Sequence, residues 1–190
     1  MIKKNYLENL NNSKKPFIIY KSNKGFDLYT DFSKKIILTK NNIEKFINQT
    51  TKLKSKKKET DLFIGFFGYE ILNNLIGVKI KKQKGLKFPK GIFYKPETKI
   101  KFSNKLSYNP LEFIKSNEVF DINLNKVSYE KIFNKFKKRI KAGETYQIKI
   151  CTKYKNTSQI DALDFFCRLV KSNMAPEAFM IKDKNYSIIS

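Results

Sequence analysis

The chain has 190 residues, 41% hydrophobic and 14% aromatic, enough to bury a core as one domain or two small ones. Its 17 Phe and 10 Tyr exclude a disordered tail, and no apolar run approaches the ~20 residues that a membrane-spanning helix requires. The formal charge of +23 points towards a polyanion, yet only Arg139 and Arg168 among the 40 basic residues are arginines.

Arginine supplies the fork that clamps phosphate and reads guanine, and a selected nucleic-acid surface normally uses it. The chain also holds 23 Ile and 19 Asn. Lys, Asn and Ile share A/T-rich codons, so coding bias accounts for most of the charge. A lysine-rich, sequence-blind nucleic-acid-binding module is the alternative reading from another class. Exposed Tyr and Phe interleaved with lysines would favour it, and buried rings would oppose it. There is no histidine, and Cys151 and Cys167 lack metal-ligand spacing. A disulfide framework, a zinc site and a His-based triad within this chain are therefore excluded. The N-terminus, MIKKNYLENLNNSKK, has no signal-peptide apolar core, which predicts a cytoplasmic protein.

In chain order, PFIIYK (16–21), GFDLYT (25–30) and KKIILT (34–39) read as three short strands. NNIEKFINQT predicts a short helix with Asn41 or Asn42 as N-cap and Ile43, Phe46 and Ile47 on one face. KLKSKKKET (52–60) reads as a charged surface loop, and the apolar run DLFIGFFGY (61–69) as a strand buried on both faces. GIFYKP and TKIKF are two further strand candidates around Pro96.

From Lys126 the texture changes. Tyr129, Ile132, Phe133, Phe136 and Ile140 form a helical stripe, with Ser128 as N-cap and Gly143 closing the helix. TYQIKICTKY then alternates as a strand, with the tyrosines on one face and Gln147 on the other. SQIDALDFFCRLVKSN predicts a helix begun by Ser158, whose stripe is Leu163, Phe166, Cys167 and Val170. Cys167 on that stripe is a packing residue rather than a nucleophile. AFMIK and YSIIS form a hairpin across DKN.

Helix, Gly-acid, aromatic-Gln, strand, then a short helix ending in Asn and Pro: this order resembles the chorismate-utilising family. The relevant members are component I of anthranilate synthase and of aminodeoxychorismate (para-aminobenzoate) synthase. Their pattern I-x-x-G-D-x-[YF]-Q-V is met by Ile140, Gly143, Glu144, Tyr146, Gln147 and Ile148, with Glu144 in place of the commoner Asp. Asn173, Pro176 and Phe179 match an N-x-x-P-x-x-[FY] segment. IGFFGYEI (64–71) resembles the G-x-x-G-Y-[DE] strand of the N-terminal domain, and FPKGIFY the segment after it.

The resemblance implies an α+β fold of antiparallel β-sheet layers with flanking helices. It implies an N-terminal domain over 1–124 and the start of a chorismate-binding domain over 125–190. In the full-length enzyme it implies amination of chorismate to aminodeoxychorismate (folate biosynthesis) or anthranilate (tryptophan biosynthesis). Mg2+ and a glutamine amidotransferase partner supplying ammonia come with that reaction, and no membrane or specific nucleic-acid partner does. The family's catalytic motifs lie beyond the segments matched here, so no catalytic, cofactor-binding or metal residue is assigned. The chain reads as an N-terminal portion, inactive alone, with Tyr146, Ile148, Ile150, Phe179, Ile181, Ile188 and Ile189 short of partner surface. Gly143, Tyr146 and Gln147 are the structural signature. Ser22, Asn173 and Pro176 are candidates for an amino-acid effector pocket. Lys21 stands where the family's Leu-Leu-Glu-Ser element has its acid, which disfavours tryptophan feedback and favours the aminodeoxychorismate branch.

Overall fold

A computed structural model describes residues 4–51, 58–77, 89–102, 120–157 and 160–190. The charged run 52–57 and the 158–159 pair, with the expected Ser158 N-cap, lie outside them. Chain contacts divide the protein into two compact units, Met1–Leu111 with Asp161–Ser190, and Glu112–Ile160.

The first unit is built on a six-stranded antiparallel sheet in the order β3-β4-β2-β1-β7-β8. In chain order its elements are α1 (Lys4–Asn12), β1 (Phe17–Ser22), β2 (Gly25–Ile37), α2 (Ile43–Thr51), β3 (Ile64–Phe67), α3 (Tyr69–Leu75) and β4 (Gly91–Phe102). The second unit holds β5 (Asp121–Ile122), α4 (Lys126–Lys141) and β6 (Tyr154–Lys155). The first unit then resumes with α5 (Ala162–Asn173), β7 (Ala178–Lys182) and β8 (Ser187–Ile189). The expected α+β class with helices flanking an antiparallel sheet is the observed one. The helices α1 and α3 were not assigned from sequence.

Two pairs of expected strands are single long strands. The segments 25–30 and 34–39 merge into β2, and those around Pro96 merge into β4. The two pair along most of their length, and the register shifts between Phe32 and Lys34, opposite Pro96 and Lys95. Pro96 has no N–H to donate, and Asp31 takes a φ of 51° beside the irregularity. A bulge at the proline lets the ladder pass without an orphaned donor and bends both strands.

Strand alternation sends two sets of side chains to opposite faces. Phe17, Ile19, Phe26, Leu28 and Met180 meet Leu7 of α1 and Leu163, Phe166 and Cys167 of α5 on one face. Val170 packs against this cluster from the end of the α5 stripe, as its helical spacing predicts. On the other face Ile18, Tyr29 and Ile181 meet Ile92 and Tyr94, with Ile64 and Phe66 alongside. β3 and β7 are separated in the sheet by β4, β2 and β1, so sharing one cluster requires the sheet to curl. A third cluster seats α2 and α3 through Ile43, Phe46 and Ile71 on Leu38 and Phe93. The Phe46 and Phe93 rings are 4.7 Å apart there.

Three local expectations change. β3 is half-buried rather than buried on both faces, because it is an end strand pairing with β4 alone. Asn42 holds the N-cap position of α2, its carbonyl accepting from the Phe46 N–H at 2.9 Å. Its side chain turns away from the helix: its Nδ2 donates to the Ile37 carbonyl at 3.0 Å and its Oδ1 accepts from the Thr39 N–H at 2.8 Å. It pins the strand-to-helix turn instead. The hairpin β7–β8 does not lack a partner, since β7 pairs with β1 from Phe17↔Lys182 to Lys21↔Ala178 and Ile181 is buried.

In α5 the N-cap is Asp161, whose side chain accepts from the Asp164 N–H. Burial, with Asp164 and Asp161 nearby, pushes the Cys167 thiol up to about 12. One thiol per chain, that of exposed Cys151, is therefore expected to react promptly with a disulfide reagent at neutral pH. Prompt reaction of both in the folded protein would contradict this packing.

Candidate functional site

In the second unit, Asn125 rather than Ser128 caps α4, its side chain accepting from the Ser128 N–H. At the other end the Glu144 N–H reaches the Arg139 carbonyl and the Gly143 N–H the Ile140 carbonyl, both at 3.0 Å. This pair of bonds is a Schellman closure, and Gly143 takes the left-handed φ of 76° that it demands. Gly143 is thus where the sequence puts it, at the helix stop. The strand expected from Tyr146 does not form. Residues 147–153 are irregular, and β6 is confined to Tyr154–Lys155 against the two-residue β5. A strand requires a partner along its length, and among the described residues β5 alone lies beside this one. Tyr146 and Gln147 are exposed.

The candidate effector residues sit at one end of the β1–β7 pair. Ser22 closes β1 at a two-residue turn, pairing with Gly25. Asn173 is the last residue of α5, and Met174 follows in a left-handed conformation with a φ of 47°. The loop carrying Pro176 then enters β7. Lys21 donates from Nζ to the Ala175 carbonyl at 2.5 Å, and Glu177 lies near the Tyr20 hydroxyl. Successive β1 residues therefore grip this loop from opposite faces. Lys21 serves the carbonyl-rich end of α5, where a cation is favoured and a carboxylate would be repelled. That gives a physical reason for lysine at this position.

Next to this junction, between β3 and the β1–β7 pair, lies a cavity of about 270 Å³. Ile18, Tyr20, Tyr29, Ile64, Phe179 and Ile181 line it. Ser22, Asn173 and Pro176 are not among its lining residues. The phenols of Tyr20 and Tyr29 are both held above their ordinary range, first by burial and then by Glu177 and Asp27 respectively. They stay protonated donors throughout the physiological range. Lys99 lies 3.0 Å from Asp27 and 5.6 Å from the Tyr29 ring centre, closing the polar rim.

A second polar cluster escaped the sequence reading. Asp183, in the β7–β8 turn, is buried and accepts from the Tyr94 hydroxyl, from Lys35 Nζ at 2.6 Å and from the Lys184 N–H at 2.6 Å. Burial would raise its carboxyl, but the Lys35, Tyr94 and Lys184 hydrogen bonds outweigh burial and hold it below its usual range. Burial, then the bonds to Asp183 and Tyr186, drives the Tyr94 phenol far up, so it remains a donor. The partners are 148 and 89 residues from Asp183, and no local pattern announces them.

Elsewhere Asp27 pairs with Lys99, Glu59 with Lys101 and Asp164 with Arg168. Among the described residues no group of three or more acid, Cys or His side chains could hold a metal ion. The described residues do not fit the Mg2+ that the resemblance implies. Nor is any helix among them long and apolar enough to cross a membrane.

A curled antiparallel sheet with helices on one face and an apolar, tyrosine-rimmed slot on the other defines an α+β fold. The model of the family described as chorismate binding enzyme matches residues 4–190. The chain belongs to that family. A search of curated proteins gave no match.

Proposed function

We propose that this chain is the scaffold portion of a chorismate-aminating synthase, of the aminodeoxychorismate rather than the anthranilate branch. The carrying observation is the family match across residues 4–190, which covers all three signature segments. In this reading the sheet and its helices present the chorismate-binding elements. Ammonia comes from a glutamine amidotransferase partner, and the catalytic residues and Mg2+ ligands lie outside the segments described. Ser22 with the Asn173–Pro176 loop forms the rim of an effector pocket. Lys21, engaged with Ala175, supports the branch assignment, because it leaves no acid on β1 to receive an effector's ammonium.

Purified 1–190 supplied with chorismate, ammonia and Mg2+ is expected to form neither aminodeoxychorismate nor anthranilate. Proton transfer at neutral pH commonly falls to histidine, and the chain has none. Product from this chain alone would refute the scaffold role. The gene expressed with its downstream sequence is expected to yield aminodeoxychorismate. Anthranilate instead would reverse the branch, and neither product would sink the proposal.

A further inference from the structure

We infer that the second unit carries a sequence-blind site for single-stranded nucleic acid, independent of any chorismate chemistry. The two units treat their rings differently. In the first, Phe17, Tyr94 and Phe166 are fully buried. In the second, Tyr146 is 92% exposed, Tyr154 64% and Phe120 49%. α4 buries none of its residues within the unit, and Tyr129 and Phe133 stand half out of the surface, stacked at 15° with 6.3 Å between ring centres.

These rings are set among cations. Residues 120–157 hold ten lysines and arginines against three acids. Lys149 and Lys153 fall between Tyr146 and Tyr154, and Lys155 follows directly. Lys137 Nζ lies 5.9 Å from the Phe133 ring centre. Coding bias sets the number of lysines, and the exposed rings among them are what distinguishes this unit from the first.

Single-stranded nucleic acid is the partner this pattern fits. Every base has a π-face that stacks on an exposed ring, and the phosphates between bases match the lysines between rings. An anionic membrane would instead favour a continuous apolar face carrying aliphatic and Trp anchors, and Tyr146 and Tyr154 are split by charge. Arg139 is the unit's one arginine, so bidentate base reading is absent and binding is indifferent to sequence.

The test is fluorescence anisotropy of labelled oligo-dT and oligo-U, about a dozen nucleotides long, with the full chain across a salt series. Binding at low salt is expected, falling steeply as salt rises. The chain has no Trp, so quenching of its Tyr emission on binding reports ring stacking directly. Tyr146→Ala and Tyr154→Ala should each weaken binding about tenfold. Their rings are exposed, so circular dichroism should not change. Lys149→Glu with Lys155→Glu should flatten the salt dependence. Failure to bind at low salt would overturn the inference. So would affinity unchanged by removal of both rings, or tighter binding to phosphatidylserine vesicles than to either oligonucleotide.

Discussion

Replacing Asp183 by Ala is expected to lower the melting temperature by about 6–12 °C, one of the two largest effects anticipated from a single side chain. The carboxylate ties the β7–β8 turn to Lys35 on β2 and Tyr94 on β4. Its side chain is 7% exposed, whereas that of Lys35 is 44% exposed. Lys35 can therefore turn to water when its partner is lost, but the Tyr94 hydroxyl is left in the interior. Breaking a buried charge pair costs about 3–5 kcal/mol, and the exposure of Lys35 places this case near the lower end. For a chain of this length each kcal/mol moves the midpoint by about 2–4 °C. Lys35→Met should cost clearly less than Asp183→Ala.

The pH dependence has a definite sign. Asp183's carboxyl is held below its unfolded range, so its contribution is complete above about pH 4 and is lost as pH falls through the lowered folded value. Urea melts of the wild type and Asp183→Asn from pH 7 downward should show a constant gap that closes only in acid. Equal stability at neutral pH would show that the cluster is incidental.

How much of this was legible beforehand depended on how local each determinant is. The α5 stripe of Leu163, Phe166 and Cys167 and the glycine stop at Gly143 are local, and both stand as the sequence predicts. Pro96 misled, because a proline usually ends a strand; the compensating bulge lies 60-odd residues away, beyond any local window. The run IGFFGY looked like a central strand on hydrophobicity alone, yet its place at the end of the sheet is set by pairing, which composition does not encode. Tyr146–Gln147 alternates as a strand should and forms none, since alternation supplies a face but not a neighbour. The family resemblance succeeded where periodicity failed because it rests on glycines and polar residues at fixed positions. Strand pairing brings Ser22 and the loop that carries Pro176 to one end of the sheet, but the residues lining the adjacent slot come from four strands, β1, β2, β3 and β7.

Those glycines lead to the other large effect. Gly65→Ala and Gly68→Ala are each expected to destabilise the first unit by about 3 kcal/mol, for steric rather than conformational reasons. A Cβ at Gly65 would lie 1.8 Å from the Ile92 carbonyl oxygen, and one at Gly68 2.0 Å from that of Lys90. Neither obstacle is a flexible side chain. Both are backbone of the β4 side, and Gly68 N–H donates to that same Lys90 carbonyl at 2.6 Å. Relief therefore requires β3 to move away from β4, which would open the slot at Ile64 and pull Phe67 from Phe93, whose rings are 4.8 Å apart. This is a physical account of why the motif spells Gly-x-x-Gly: two close backbone approaches, three residues apart. Gly77→Ala is the control. It has a left-handed φ of 73° and nothing within 4 Å of the added carbon, so it should cost only the 1–2 kcal/mol of that conformation. Chemical denaturation of the three variants separates the causes. If Gly65→Ala and Gly68→Ala lose no more than Gly77→Ala, β3 does not approach β4 as closely as described, and the steric reading of the motif fails.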